Sequence, residues 1–226
     1  KTLLLLFGGE NWYTYNMNNM LVNNSHAGEL LIDLNGYKWF LSRDNGIFVF
    51  DDNETLEDNQ DDRIALITTG ELNGNLPSKS VYSIAEDQDG KIWIGTEEGL
   101  TVINSTYGLF DGDVKANRII IEQDGTYQYL LETEIINSIK VDGGNRKWIG
   151  TASGGAYLVS EDGQETIHHF TAENSALLSN TIFDIEIFGT TGEVFFATDN
   201  GLVSFVGDAT DADKYTGPTY AYPNPV

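Results

Sequence analysis

The sequence predicts an all-β chain built from four-stranded antiparallel sheets arranged as the blades of a propeller. Three observations lead there. A motif recurs along the chain at spacings of about one blade. Short aromatic and β-branched runs are bounded by Gly, Asp and Asn. No segment keeps an apolar period of 3.6 residues over three turns.

The recurring motif is clearest when its aromatic residues are aligned. One copy holds Ala27, Leu30, Asp33, Gly36 and Trp39; the next holds Val81, Ile84, Asp87, Gly90 and Trp93. A third holds Ile136, Ile139, Asp142, Asn145 and Trp148. A looser fourth keeps Ile182, Ile185, Gly192 and Phe195, with one extra residue in its turn. The aromatics are 54, 55 and 47 residues apart, which suits a four-stranded blade with a long outer hairpin better than a helical repeat. Each aromatic is followed within seven residues by a glycine: Gly46, Gly99, Gly154 and Gly201.

The elements within one copy follow from local chemistry. Asp87 and Gly90 bracket a turn in which the carboxylate can accept backbone N–H groups. Gly, or Asn145 in the third copy, tolerates positive φ there. In the following run, KIWIGT, alternation sends Ile92 and Ile94 to one face and Trp93 and Gly95 to the other. Both sets are apolar or small, as expected where neighbouring blades cover both faces. Leu3–Tyr15, LLLLFGGENWYTY, reads as two further strands, a half blade. Its apolar core is too short for a membrane span or a signal-peptide core.

Composition narrows the partners. The chain has 226 residues, 35 acidic and 12 basic, for a formal net charge of −23. That field repels nucleic acid and anionic lipid and leaves cations, basic proteins and neutral glycans open as partners. There is no cysteine, so neither disulfides nor thiolate metal sites are available.

The motif separates among propeller families. The Gly-His and Trp-Asp pairs of WD-type repeats do not occur. The position five residues before each aromatic, where a sialidase-type Asp-box carries Asp, holds Leu34, Gln88, Gly143 and Thr190. An Asp six residues before Trp, then Trp-Ile-Gly-Thr and Gly-Leu, resembles the two-component regulator propeller repeat. The lead-in segments LPSKSVYSI and ENSALLSNTIFDI resemble it too, and the resemblance spans about residues 11–206. It implies one of two settings in a Gram-negative bacterium. One is a PorZ-like cell-surface component of the type IX secretion system. The other is the periplasmic, glycan-sensing propeller of a hybrid two-component sensor kinase. YAYPNPV at Tyr220–Val226 looks like the opening strand of a type IX C-terminal sorting domain. The expected division is a propeller segment over 1–217 and a linker with the start of that domain over 218–226. The resemblance implies a non-catalytic scaffold at the periplasm or outer-membrane surface. Its partners would be secretion or signalling proteins, or a glycan or surface glycolipid.

Candidate site residues are few. Asp51, Asp52, Glu54, Glu57, Asp58, Asp61 and Asp62 form the densest acidic run. Of these, Asp51, Asp52, Glu54 and Asp58 could serve calcium, although the spacing lacks the order and glycine of an EF-hand loop and suits a solvated loop. Adjacent His168 and His169 point to opposite faces of a strand and suit one metal poorly; His26 stands alone in a loop. No ordered Ser/His/Asp set occurs, and Arg43, Arg63, Arg118 and Arg146 sit at different repeat positions, so no catalytic residue is assigned. Trp12, Tyr13 and Tyr15, and the pair Tyr127 and Tyr129, are aromatic clusters able to stack on sugars or anchor a protein partner. About four repeats and a half blade make either a small ring completed by the N-terminal strands or an arc of a larger propeller; an open arc exposes sheet edges, so self-association through them is expected unless the ring closes.

Overall fold

The computed structural model describes residues 3–8, 11–16, 27–55, 58, 60–123 and 125–211. It is an all-β propeller arc. At its start, β1 (Leu3–Gly8) and β2 (Asn11–Asn16) pair as an antiparallel two-stranded sheet, in register from Leu3 opposite Asn16. Blade one is the four-stranded meander β3 (Ala27–Ile32), β4 (Lys38–Ser42), β5 (Gly46–Asp51) and β6 (Arg63–Ile67).

Blade two has three strands, β7 (Val81–Glu86), β8 (Ile92–Thr96) and β9 (Gly99–Ile103). Its fourth position is held by a single bridge from Val102 to Asn117. The chain then forms a separate hairpin, β10 (Ile120–Gln123) and β11 (Thr126–Tyr129). Blade three regains four strands: β12 (Ile136–Val141), β13 (Lys147–Thr151), β14 (Ala156–Val159) and β15 (Thr166–Phe170). Blade four comprises β16 (Ile182–Phe188), β17 (Glu193–Thr198) and β18 (Gly201–Val206). The first strands lie side by side in chain order, β3 against β7, β7 against β12, β12 against β16. Among the described residues the sheets do not close into a ring.

Three cores fill the three blade interfaces, each around one tryptophan. Trp39 packs with Ile84, Ile92 and Ile94; Trp93 with Ile136, Ile139 and Ile149; Trp148 with Ile182, Ile185 and Phe196. This is the alternation expected of KIWIGT, with Ile92 and Ile94 turned to the preceding blade and Trp93 to the next. Gly95 and Gly150 are small because the next blade sits on them. A Cβ at Gly95 would lie 2.6 Å from Ile136 Cγ2, and one at Gly150 would lie 2.7 Å from Ile182 Cγ2.

The repeated aspartate does more than shape its turn. Asp87 Oδ1 accepts the backbone N–H groups of Asp89 and Lys91, while Oδ2 accepts the Trp93 indole N–H at 2.8 Å. Asp33 does the same for Asn35, Tyr37 and Trp39. The six-residue spacing is therefore the reach from turn to indole. Gly90 and Asn145 occupy the turn at φ 76° and 58°. In the third copy Asp142 keeps the turn bonds, to Gly144 and Arg146 N–H, and its Oδ2 accepts from Arg146 Nε.

A second recurring device joins the blades. The first strand of every blade shifts register at the same place, by Ala27/Leu30, Val81/Ser83, Ile136/Ser138 and Ile182/Asp184. A bulge leaves backbone and side chain free to bond outside the ladder. Glu29 accepts the Ile84 N–H at 3.0 Å, Ser83 donates to the Ile136 carbonyl at 3.1 Å, and Ser138 donates to Asp184 at 2.8 Å.

Blades two and three share one further link. The Lys147 ammonium lies 2.9 Å from Asp87 Oδ2, both side chains 0% exposed, and 4.5 Å from the centre of the Trp93 ring. It also donates to the carbonyls of Asn145 and Glu161. Burial by itself would raise the Asp87 pKa, but the bonds from Trp93 and Lys147 outweigh it and hold the carboxyl below its ordinary value. The same burial pulls the Lys147 pKa below that of a free lysine, against the opposing pull of Asp87. Removing one member of a buried pair strands the other. Lys147→Met is expected to lower stability by about 3–5 kcal/mol, read by chemical denaturation, and Lys147→Met with Asp87→Asn to recover part of that loss.

Candidate ligand-binding cleft

The repeats differ most where blade two gives up its fourth strand. The hairpin β10–β11 is the product of that departure, and a cleft of about 630 Å³ opens between it and the outer part of blade three. That volume lies within the range of about 300–1,000 Å³ usual for ligand sites.

One wall comes from the hairpin and the segment after it, with Ile121, Glu122, Gln128, Tyr129, Glu132 and Glu134. Facing it are Tyr157 on β14, His169 on β15, and Gln164, Glu165 and Thr166. Tyr157 and His169 are cross-strand partners, and their rings stack 4.0 Å apart at 10°. The ring is fixed from its other end, because His169 Nε2 lies 2.7 Å from the Gly154 carbonyl. Burial, and then the charge of Glu134, raise the pKa of Tyr157, so the phenol stays protonated. Ser153 donates to Glu134 at 3.1 Å. Four glutamates line the cleft, no lysine or arginine does, and none of the four has an ion pair among the described residues. The Arg118 guanidinium lies over the Tyr129 ring at 4.8 Å and donates to the Glu98 carbonyl. The arrangement can stack a flat group, hydrogen-bond polar groups and attract positive charge.

The sequence candidates fall in several places. Tyr127 and Tyr129 both lie on β11; Tyr129 lines the cleft at 39% exposure, and Tyr127 is 74% exposed outside it. Trp12, Tyr13 and Tyr15 lie on β2, opposite Phe7, Leu6 and Leu4. The acidic run lies between β5 and β6 in sequence, and none of its described residues lines the cleft. In that run Asp51 is buried against Arg63, and Asp52 against Lys38 at 2.6 Å. Asp51 also accepts the Asn53 N–H and Asp52 the Glu54 N–H, while Asp58 accepts that of Gln60. The Glu54 side chain is exposed and its backbone sits at φ 60°. The two buried carboxylates thus already face cations, and among the described residues no group of three or more His, Asp or Glu is placed to hold a metal ion. His26, Glu57 and Tyr220–Val226 lie outside the described residues. His168 stacks with Phe170 and His169 with Tyr157, on opposite faces of β15.

Reading by repeat missed Tyr157 and the glutamates Glu132, Glu134 and Glu165, and weighed His169 only as half of a poor metal pair. Their signal was the departure from the repeat. In the sequence, an Asp-Gly pair at 124–125 between two runs of β-formers is a hairpin signal.

Comparison with known proteins agrees with this architecture. Residues 75–98 match the family described as two component regulator propeller. A comparison with curated protein sequences gives no match. Among solved structures, PorZ is described as an essential bacterial surface component of the type-IX secretion system of Porphyromonas gingivalis. It is 28% identical with a TM-score of 0.80 over 96% of this chain and 30% of that one. The extracellular domain of a hybrid two component system from B. thetaiotaomicron is 25% identical with a TM-score of 0.62, over 90% of this chain and 26% of that one. Virginiamycin B lyase from Staphylococcus aureus, 13% identical with a TM-score of 0.54 over 95% of this chain and 61% of that one, shares the fold alone. The protein is therefore a β-propeller, one segment of which, residues 75–98, matches the two-component regulator propeller. In particular it is similar to PorZ, of whose chain it spans 30%. No helix among the described residues is long and apolar enough to cross a membrane.

Because Asp51 and Asp52 are each held by a cation, millimolar calcium is expected to leave the melting temperature unchanged. A calcium-dependent rise abolished by Asp52→Asn would establish a metal loop there.

Proposed function

We propose that the chain is a propeller segment of a type IX secretion component at the outer-membrane surface, acting as a non-catalytic scaffold for protein partners or surface glycolipid. The observation carrying this reading is the similarity to PorZ along nearly the whole chain, 28% identity over 96% of it. YAYPNPV fits the same reading as the opening of a sorting domain over residues 218–226, after a propeller segment over 1–217. The absence of any ordered nucleophile, base and orienting acid in the sequence favours binding over catalysis.

A second reading has its own support. The match of residues 75–98 and the 25% identity to a hybrid two component extracellular domain favour a glycan-sensing propeller. One experiment separates the two. Deleting the encoding gene in its bacterium is expected to block surface delivery of proteins bearing type IX sorting domains, with those proteins accumulating in the periplasm. Intact delivery together with a lost transcriptional response to a polysaccharide would assign the chain to a sensor instead.

A further inference from the structure

We propose that residues 207–211, which follow β18, are a strap that clamps blades three and four together at their turns, and that the turn 142–146 is built as its seat. The strap opens as a unit of its own while the blade core stays closed, so it governs how freely residues 212–226 leave the propeller.

The first argument is the path of the chain. Among the described residues, blade four ends on β18, and the chain beyond it does not return as a fourth strand. The Gly207 N–H donates to the Gly192 carbonyl at 3.0 Å, and the Asp211 N–H to the Gly189 carbonyl at 2.9 Å. The segment therefore crosses the turn between β16 and β17. It also reaches blade three, where Asp208 meets the Arg146 guanidinium at 2.6 Å.

The second argument is the seat. The turn of blade three departs from its copies at positions that the strap uses. Where copies one and two hold Leu34 and Gln88, copy three holds Gly143. Gly143 has no positive φ, so its own turn does not demand a glycine. The strap does. A Cβ there would run into the Thr210 carbonyl and would lie 2.8 Å from Asp211 N.

The third argument is Arg146, which stands where the other copies have Tyr37 and Lys91. Its Nε donates to Asp142 Oδ2, the oxygen that takes the indole from Trp39 and Trp93 in copies one and two. Asp142 is buried, so the guanidinium is held in place before it meets Asp208. The hydrogen bond from Arg146 holds the Asp208 carboxyl below its ordinary value.

The magnitudes rank these contacts. The Asp208 side chain is 83% exposed, so its ion pair contributes little by itself and is screened by salt. The fit over Gly143 and the two backbone bonds carry the strap, and the ion pair sets its register. A surface segment held this way lies at the low-stability end of a fold. Lifting it breaks none of the packing of Trp148 with Ile182, Ile185 and Phe196.

The test follows amide hydrogen exchange in the full chain, at Gly207 and Asp211, with the β13 and β17 amides as reference. The two strap amides are expected to exchange more slowly than free chain and faster than the reference strands. Gly143→Ala should speed exchange at Asp211 on the order of ten-fold or more and leave β13 and β17 unchanged. Asp208→Asn should speed it by about two- to five-fold. Salt at about 1 M should do the same to the unaltered protein and add nothing to that variant. Leu34→Ala, at the matching turn position of blade one, should leave the strap as it was. Free-chain exchange at Gly207 and Asp211 in the unaltered protein would overturn the proposal, as would protection that survives Gly143→Ala. Loss of β13 and β17 protection along with the strap would contradict a separate opening. These outcomes are independent of the gene-deletion phenotype.

Discussion

One carboxylate organises the middle of the molecule. Asp87 closes its own turn through two backbone N–H groups, fixes the Trp93 indole, and meets the Lys147 ammonium of the next blade with no solvent between them. The two side chains among those partners are themselves packing elements. Trp93 is the centre of the core between blades two and three, and Lys147 opens the strand that faces it. A buried ion pair stabilises little by itself when compared with apolar packing. What it imposes here is position: the second blade can meet the third in only one register without stranding a charge. Trp93 adds its ring face to the same ammonium at 4.5 Å, so turn, core and interface depend on one cluster.

Much of this was legible in the sequence because the repeat is driven by local rules. Asp, Gly and Trp at fixed spacing specify a turn and an inward aromatic, and the alternation in KIWIGT sorts the two blade faces. The glycines Gly95 and Gly150 follow from the close approach of Ile136 and Ile182. The purpose of the six-residue spacing was not legible, because the bond from indole to carboxylate spans a turn whose shape must be known first. Lys147 was hidden for a different reason. A lysine beside a turn reads as solvated, and only the partner blade supplies the carboxylate and the ring that bury it. The register shift in each first strand was likewise invisible, since a bulge changes pairing without changing composition.

The cleft obeys the opposite logic. A repeat argument finds what is shared, and the cleft exists because blade two departs from the pattern, ending on a single bridge at Asn117 and spending the remaining chain on a hairpin. Tyr129 was found as an aromatic on that hairpin. The pairing of Tyr157 with His169 was not, because their stacking is a cross-strand relation between residues twelve apart in sequence. The scaffold is thus uniform where blades meet, and its individuality lies at the rim. This division suits a protein whose similarity to PorZ runs along nearly the whole chain.

The central claim is that the Asp87 cluster, more than general apolar burial, sets how blades two and three meet. Hydrogen exchange of the indole N–H groups, followed by nitrogen-labelled tryptophan resonances, tests it most directly. The account predicts that the Trp93 indole is as protected as that of Trp39. Asp87→Asn should accelerate exchange at Trp93 and at the β12 and β13 amides while leaving Trp39 unchanged. Unaltered protection of Trp93 and blade three in the variant would contradict it.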